Sequence, residues 1–197
     1  MNTTNRKIHI LNDQILLLTA EEIELHNRII SITEPITPEN AAVINSSLRV
    51  LAMESDSDII LRIQSPGGDV KAGFSILDTI NSISCKCNIM TVGTGMVASM
   101  AAILLSAGTK GMRYATPNCN ILIHQPIANT QGQITDICNY VESFKKDKHK
   151  LTKIISDNCG QAFEKVKQDM ERDFIMSAEE AFAYGIIDKI GDPILEI

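Results

Sequence analysis

The sequence predicts an α/β fold: a mostly parallel sheet covered by helices. Three observations lead there. Short β-branched runs alternate with longer segments of helical spacing, which is the rhythm of β-α-β units. The central run Asp58-Ile59-Ile60-Leu61-Arg62-Ile63 is apolar enough for a largely buried strand. No Pro-, Gly- or Ser-rich linker long enough to separate two domains interrupts the pattern.

Taken in order, Arg28-Ile29-Ile30-Ser31-Ile32 reads as the first strand. Thr37-Pro38-Glu39 supplies a cap, a first-turn proline and a first-turn acid, so a helix follows with apolar positions to Leu51. After the 58–63 strand, Ser65-Pro66-Gly67-Gly68 forms a sharp turn, and Phe74, Ile76, Leu77 and Ile80 give Val70–Ile83 helical spacing. A short strand over 88–92 leads through the small-residue turn Thr94-Gly95-Met96-Val97-Ala98 to a buried helix that begins at Ser99 and ends near Gly108. Ile121-Leu122-Ile123-His124 is the next strand. From Ile134 to about residue 157, Ile137, Val141, Phe144, Leu151 and Ile155 recur among lysines and acids, giving a long amphipathic helix. Ser177-Ala178-Glu179-Glu180 is a capping box, and Gly185 closes its helix before Ile186–Ile190.

Composition narrows the class. The chain has 197 residues, 44% hydrophobic and 21% charged, enough for one domain with a real core. Its net charge of -6 leaves no basic footprint for nucleic acid. No run reaches the roughly 18 apolar residues of a membrane span, and the start Met1–Lys7 carries no apolar leader. The five cysteines, at 85, 87, 119, 138 and 159, follow no disulfide pattern, and Cys85-Lys86-Cys87 is too tight for a zinc knuckle. A cytoplasmic protein with no metal or intrinsic cofactor is expected.

The chemistry gathers around Ser99. A hydroxyl at the start of a buried helix lies near unpaired N–H groups and the positive end of the helix dipole, where an attacking oxygen and a developing oxyanion are favoured. A lone serine there is more simply a cap. Nucleophilic serine chemistry also needs a base, a group to orient it and oxyanion donors. Of the four histidines, only His124 ends a predicted buried strand, the end at which sites form in open α/β sheets. The Gly67-Gly68 turn permits close approach of backbone donors. For the orienting carboxylate the pattern leaves Asp169, Glu171, Asp173 and Asp188 all open.

Ser65-Pro66-Gly67-Gly68, Ala72-Gly73 with Asp78-Thr79, Ala98-Ser99-Met100, His124-Gln125-Pro126, Gln131-Gly132-Gln133, Glu171-Arg172-Asp173 and Ser177-Ala178-Glu179-Glu180-Ala181 stand in the order seen in Clp protease proteolytic subunits. Over residues 28 to 190 the chain resembles that family. The resemblance implies a crotonase-like superhelix of β-α-β units with a protruding handle helix, and a serine endopeptidase that hydrolyses unfolded polypeptides inside a closed oligomeric chamber. By the same resemblance, Ser99 is the nucleophile, His124 the general base and Asp173 its orienting aspartate. The N–H groups of Gly68 and Met100 make the oxyanion hole, and Arg172 and the handle after Gln133 make the contacts between two stacked seven-membered rings. An AAA+ unfoldase, which consumes the ATP, delivers the substrate.

The chain also departs from the family. Ile60 and Arg62 stand where aromatic residues usually line the unfoldase-docking pocket, and Ser82 stands where phenylalanine is common. A charged Arg62 there carries a desolvation cost against an apolar partner. Ser84–Asn88 is about two residues longer than the usual turn, and residues 1–27 show no clear axial-gate segment. Hence a divergent N-terminal segment (1–27) is expected before a peptidase domain (28–197), in a divergent paralogue served by another unfoldase or by a second family subunit. Two other classes compete: a crotonase-fold acyl-CoA hydratase or isomerase, and a non-catalytic ring subunit.

Overall fold

Strands that run parallel need crossovers long enough to return along the sheet, and this chain supplies them as helices. The computed structural model describes the backbone of residues 7–11 and 14–195 and the side chains of 17–194. The opening stretch 1–6, where no apolar leader is expected, lies outside the described residues.

An antiparallel hairpin, β1 (Lys7–Leu11) and β2 (Gln14–Leu18), comes first. A short helix, α1 (Ala20–His26), follows, opened by a capping box from Thr19 to Glu22. Neither is foreseen in the sequence. Three β-α units then build the body: β3 (Ile29–Ile32), α2 (Pro38–Glu54), β4 (Ile59–Ser65), α3 (Val70–Ile83), β5 (Ile89–Ala98) and α4 (Met100–Ser106). Thr37 caps α2 with Asn40 as reciprocal partner, and the Asp69 side chain caps α3. Beyond α4 come β6 (Arg113–Ala115), β7 (Asn120–Ile123), α5 (Ile134–Cys159), α6 (Phe163–Asp169), β8 (Phe174–Met176), α7 (Ala178–Tyr184) and β9 (Lys189–Ile190).

The main sheet runs β3-β4-β5-β6-β9, all parallel, as the sequence rhythm predicts. β5 is its hub and is twice the predicted length. What reads as a turn at Thr94–Ala98 is the second half of that strand. The register shifts between Ile63 and Ser65 of β4, which face Gly93 and Val97, so β5 carries extra residues there, among them Gly95 at φ +60°. Such a bulge bends a strand and re-aims it. β5 accordingly pairs with β6 over Thr91–Gly93 and with β7 over Met96–Ala98, and β7 carries β8 antiparallel on its other side.

Burial explains the remaining placements. Ile59, Leu61 and Ile63 of β4 are sealed in the core while Ile60 and Arg62, on the other face, are half-buried. Every residue of α4 is buried, so it runs through the centre of the molecule rather than over it. α5 behaves as two halves. Its second half buries Leu151, Ile155 and Cys159, whereas Ile134, Tyr140 and Val141 in the first half are exposed.

One buried ion pair ties the far side together. Arg113, 1% exposed, donates to Asp188 from Nε (2.7 Å) and Nη2 (2.6 Å), and from Nη1 to the carbonyls of Ser106 and Asn158 at the ends of α4 and α5. Burial by itself would raise the Asp188 carboxyl; the Arg113 guanidinium and the N–H groups of Gly111 and Arg113 outweigh it and bring the pKa to about 2. A carboxylate depressed on folding stabilises above its unfolded pKa and loses that contribution as pH falls through its folded one. The depression corresponds to about 2 kcal/mol. Asp188→Asn is therefore expected to lower the thermal midpoint at pH 7, with the gap to wild type closing between about pH 4 and pH 2; a gap independent of pH contradicts this.

Candidate active site

The strand register brings three side chains to one place. In β5 and β7, Ala98 lies beside Leu122, so the residues just past these neighbouring parallel ends, Ser99 and His124, come together. In β7 and β8, Ile123 lies opposite Phe174, so the next antiparallel pair is His124 and Asp173. His124 Nε2 is 2.9 Å from Ser99 Oγ, and His124 Nδ1 is 3.0 Å from Asp173 Oδ1. With Nδ1–H donating to the carboxylate, Nε2 is free to accept from the hydroxyl.

Ser99 is not in the first turn of its helix but is the residue before it, the N-cap of α4, and it makes no capping bond. Its backbone sits at φ 56°, ψ -124°, a conformation that costs a non-glycine residue about 1–3 kcal/mol. This sharp strand-to-helix passage lifts the hydroxyl off the sheet, the geometry that nucleophile elbows use. It is held from several sides. The Ser99 N–H donates to the Leu122 carbonyl (2.8 Å), and the Ser99 carbonyl accepts from Ala102 (3.0 Å) and Ile103 (3.3 Å).

The Pro-Gly-Gly turn after β4 presses on the same spot. Gly67 has φ +93°, and a Cβ there would come within 2.7 Å of Ser99 Cβ and 2.9 Å of Met100 N. The turn is fixed by backbone bonds from Ile36 N–H to the Gly67 carbonyl (2.7 Å) and from Asp69 N–H to the Ile36 carbonyl (2.8 Å). The N–H groups of Gly68 and Met100 donate to no group among the described residues. Beside Ser99 and His124 lies a small apolar recess lined by Val70, Met100, Ile103, Ile123, Pro126 and Leu151. Val70 and Ile103 were not singled out in the sequence, although Val70 opens the helix directly after the glycine turn.

The other carboxylates left open by the sequence are engaged elsewhere. Asp169 accepts from the Tyr184 hydroxyl (2.8 Å) and Lys165 (2.6 Å), and Glu171 accepts from Lys148 (2.6 Å). Asp188 belongs to Arg113. Burial, with Asp169 beside it, pushes the Tyr184 phenol well above its usual value. Cys119 is buried in the core and its thiol is pushed up to about 11 by that burial, so it is no rival nucleophile. His149 is exposed on α5 and packs at a tilt against Phe163, with ring centroids 5.0 Å apart.

The partner-facing positions are spread out. Ile60 and Arg62 share the half-buried face of β4, and Ser82 is exposed on α3 with its hydroxyl donating to the Thr79 carbonyl. The Arg62 charge, which carries a desolvation cost in the sequence reading, has a partner in the fold: Arg62 Nη2 donates to Asp192 Oδ2 at 2.8 Å. The partner lies 130 residues away in sequence, so only folding reveals it. Gln133, at the N-cap of α5, and Arg172 are exposed.

Residues 17–193 match the family model of the Clp protease. The chain belongs to the Clp protease family. The fold is the mixed α/β fold of that family, and the domain is a Clp-type peptidase domain. The match begins at Leu17 and so takes in α1, within the stretch set apart above as residues 1–27. No helix among the described residues is long and apolar enough to cross a membrane.

Gly67→Ala tests the turn. Its positive φ and its contact with Ser99 are expected to cost more than 1 kcal/mol of stability and to displace Ser99. A thermal midpoint within about 1 °C of wild type contradicts this account of the turn.

Proposed function

We propose that this Clp protease family member is a serine endopeptidase in which Ser99 attacks the peptide carbonyl, His124 is the general base and Asp173 orients it. The observation that carries this is the continuous path from Ser99 Oγ through the imidazole to the Asp173 carboxylate, with both links at hydrogen-bond distance. His124 Nε2 takes the hydroxyl proton as Oγ bonds to the carbonyl carbon. Asp173 holds the tautomer and favours the imidazolium that forms. The oxyanion is received by the N–H groups of Gly68, in the glycine turn, and of Met100, at the N-terminus of α4, neither of which donates elsewhere among the described residues. His124 then protonates the leaving amine, and water, deprotonated by the same imidazole, releases the acyl group.

An acyl-CoA hydratase would need a carboxylate placed to act as the base. Asp173, the carboxylate of this site, is committed to the imidazole, which favours the peptidase. A non-catalytic subunit is disfavoured by the same alignment.

The reading extends to assembly. The exposed apolar residues Ile134, Tyr140 and Val141 of α5 support its role as a handle between two stacked rings, with Gln133 and Arg172 at that contact. In such a chamber the substrates are unfolded polypeptides fed by an AAA+ partner, and the chain needs no cofactor of its own. The free cysteines suit a reducing compartment such as the cytoplasm. The groove between α1 and β3 is lined by Glu21, Glu24 and Arg62 beside Leu25 and Ile29. Its charge supports a divergent paralogue that docks a different unfoldase, or relies on a second family subunit for docking.

Ser99→Ala and Asp173→Asn are each expected to lower hydrolysis of a short fluorogenic peptide by roughly 10⁴-fold. Equal rates in Ser99→Ala and wild type sink the assignment. Mixed with the family's usual ATPase, the wild-type particle is expected to degrade an unfolded tagged protein slowly; rapid degradation refutes the altered docking.

A further inference from the structure

Two neighbouring residues of α5 reach the loops on either side of the site. Asp147, 4% exposed, accepts from Lys71 Nζ at 2.7 Å, three residues beyond Gly68. Its neighbour Lys148 reaches the other half of the site. Lys148 Nζ donates to Gln125 Oε1 (2.9 Å) and to Glu171 Oε1 (2.6 Å). Gln125 directly follows His124, and Glu171 stands two residues before Asp173. The two loops are also joined by Gln125 N–H to the Met170 carbonyl (2.6 Å) and by Gln125 Nε2 to the Glu171 carbonyl (2.9 Å).

The site needs such a brace. The Asp173 side chain is 66% exposed and, among the described residues, accepts a hydrogen bond from His124 alone, so little packing holds its carboxylate against the imidazole. Its position is set by the backbone of the loop ending in β8, and that loop is anchored at Glu171. We propose that Lys148 is a positioning residue: its ammonium clamps the His124 loop to the Asp173 loop and keeps the carboxylate within hydrogen-bond reach of His124. The inference rests on the serine-peptidase reading above. Lys148 touches no reacting atom, and as a half-exposed pair with Glu171 it contributes little to global stability. Its worth lies in geometry, where a displacement of about 1 Å costs on the order of 100-fold in rate.

The test uses the full chain in its native assembly, with Lys148→Ala, Lys148→Arg and Glu171→Ala as variants. Lys148→Ala and Glu171→Ala are expected to lower kcat by roughly 10- to 100-fold at nearly constant KM. The rate of Ser99 labelling by a small aryl phosphonate should fall in proportion, with thermal midpoint and particle mass unchanged. Lys148→Arg should recover most of both rates, because a guanidinium can bridge the same two acceptors. Wild-type kcat and labelling in Lys148→Ala overturn the proposal, as does a loss that tracks a change in particle mass and is not recovered by arginine. Persistence of hydrolysis in Ser99→Ala would instead overturn the peptidase reading beneath it.

Discussion

The structure turns on a serine held where a serine is uncomfortable. Ser99 occupies a strained backbone conformation between the end of β5 and the start of α4, and everything around it counteracts that strain. β7 supplies the carbonyl that takes its N–H, α4 takes its carbonyl, and Gly67 fills the space behind it without a side chain. The strain has a use. A residue at this junction has its hydroxyl off the sheet, while the Met100 N–H that opens the buried helix has no partner among the described residues. Relaxing the serine into helical or extended backbone would lose both at once.

The bulge in β5 is what makes the junction possible. A straight β5 would continue beside β6, whereas the bent strand leaves β6 and pairs with β7. That switch sets the end of β5 next to the end of β7, and β8 then completes the row. Three strand ends thus place three side chains by register alone, with backbone hydrogen bonds as the ruler. Buried α4 behind them, and the Arg113–Asp188 pair at its far end, keep the helix from shifting as a unit.

Much of this was legible in the sequence, and the parts that were not share a cause. Val70–Ile83 and the Thr37 and Ser177 caps follow from local spacing and capping chemistry and appear where expected, and the strand expected over 58–63 appears as Ile59–Ser65. The second half of β5 was mistaken for a turn because small residues and Gly95 mark a bulge and a turn alike; pairing with β7 decides between them. The three-residue strands β6 and β8 are too short to show a period. Local pattern left four carboxylates open beside His124, because only the β7–β8 register distinguishes Asp173 from its neighbours. The partner of Arg62 was invisible for the same reason: Asp192 is adjacent only in space.

In the proposed mechanism the reactivity of Ser99 depends on the imidazole, and that dependence is directly measurable. The assembled protein is incubated with an aryl phosphonate and its mass is read before and after, for wild type and for His124→Ala. The account predicts one adduct per chain, located on Ser99, absent when the protein is denatured first and slowed by at least about 100-fold in His124→Ala. Labelling of another residue, or labelling of Ser99 that persists unchanged without the imidazole, would contradict it.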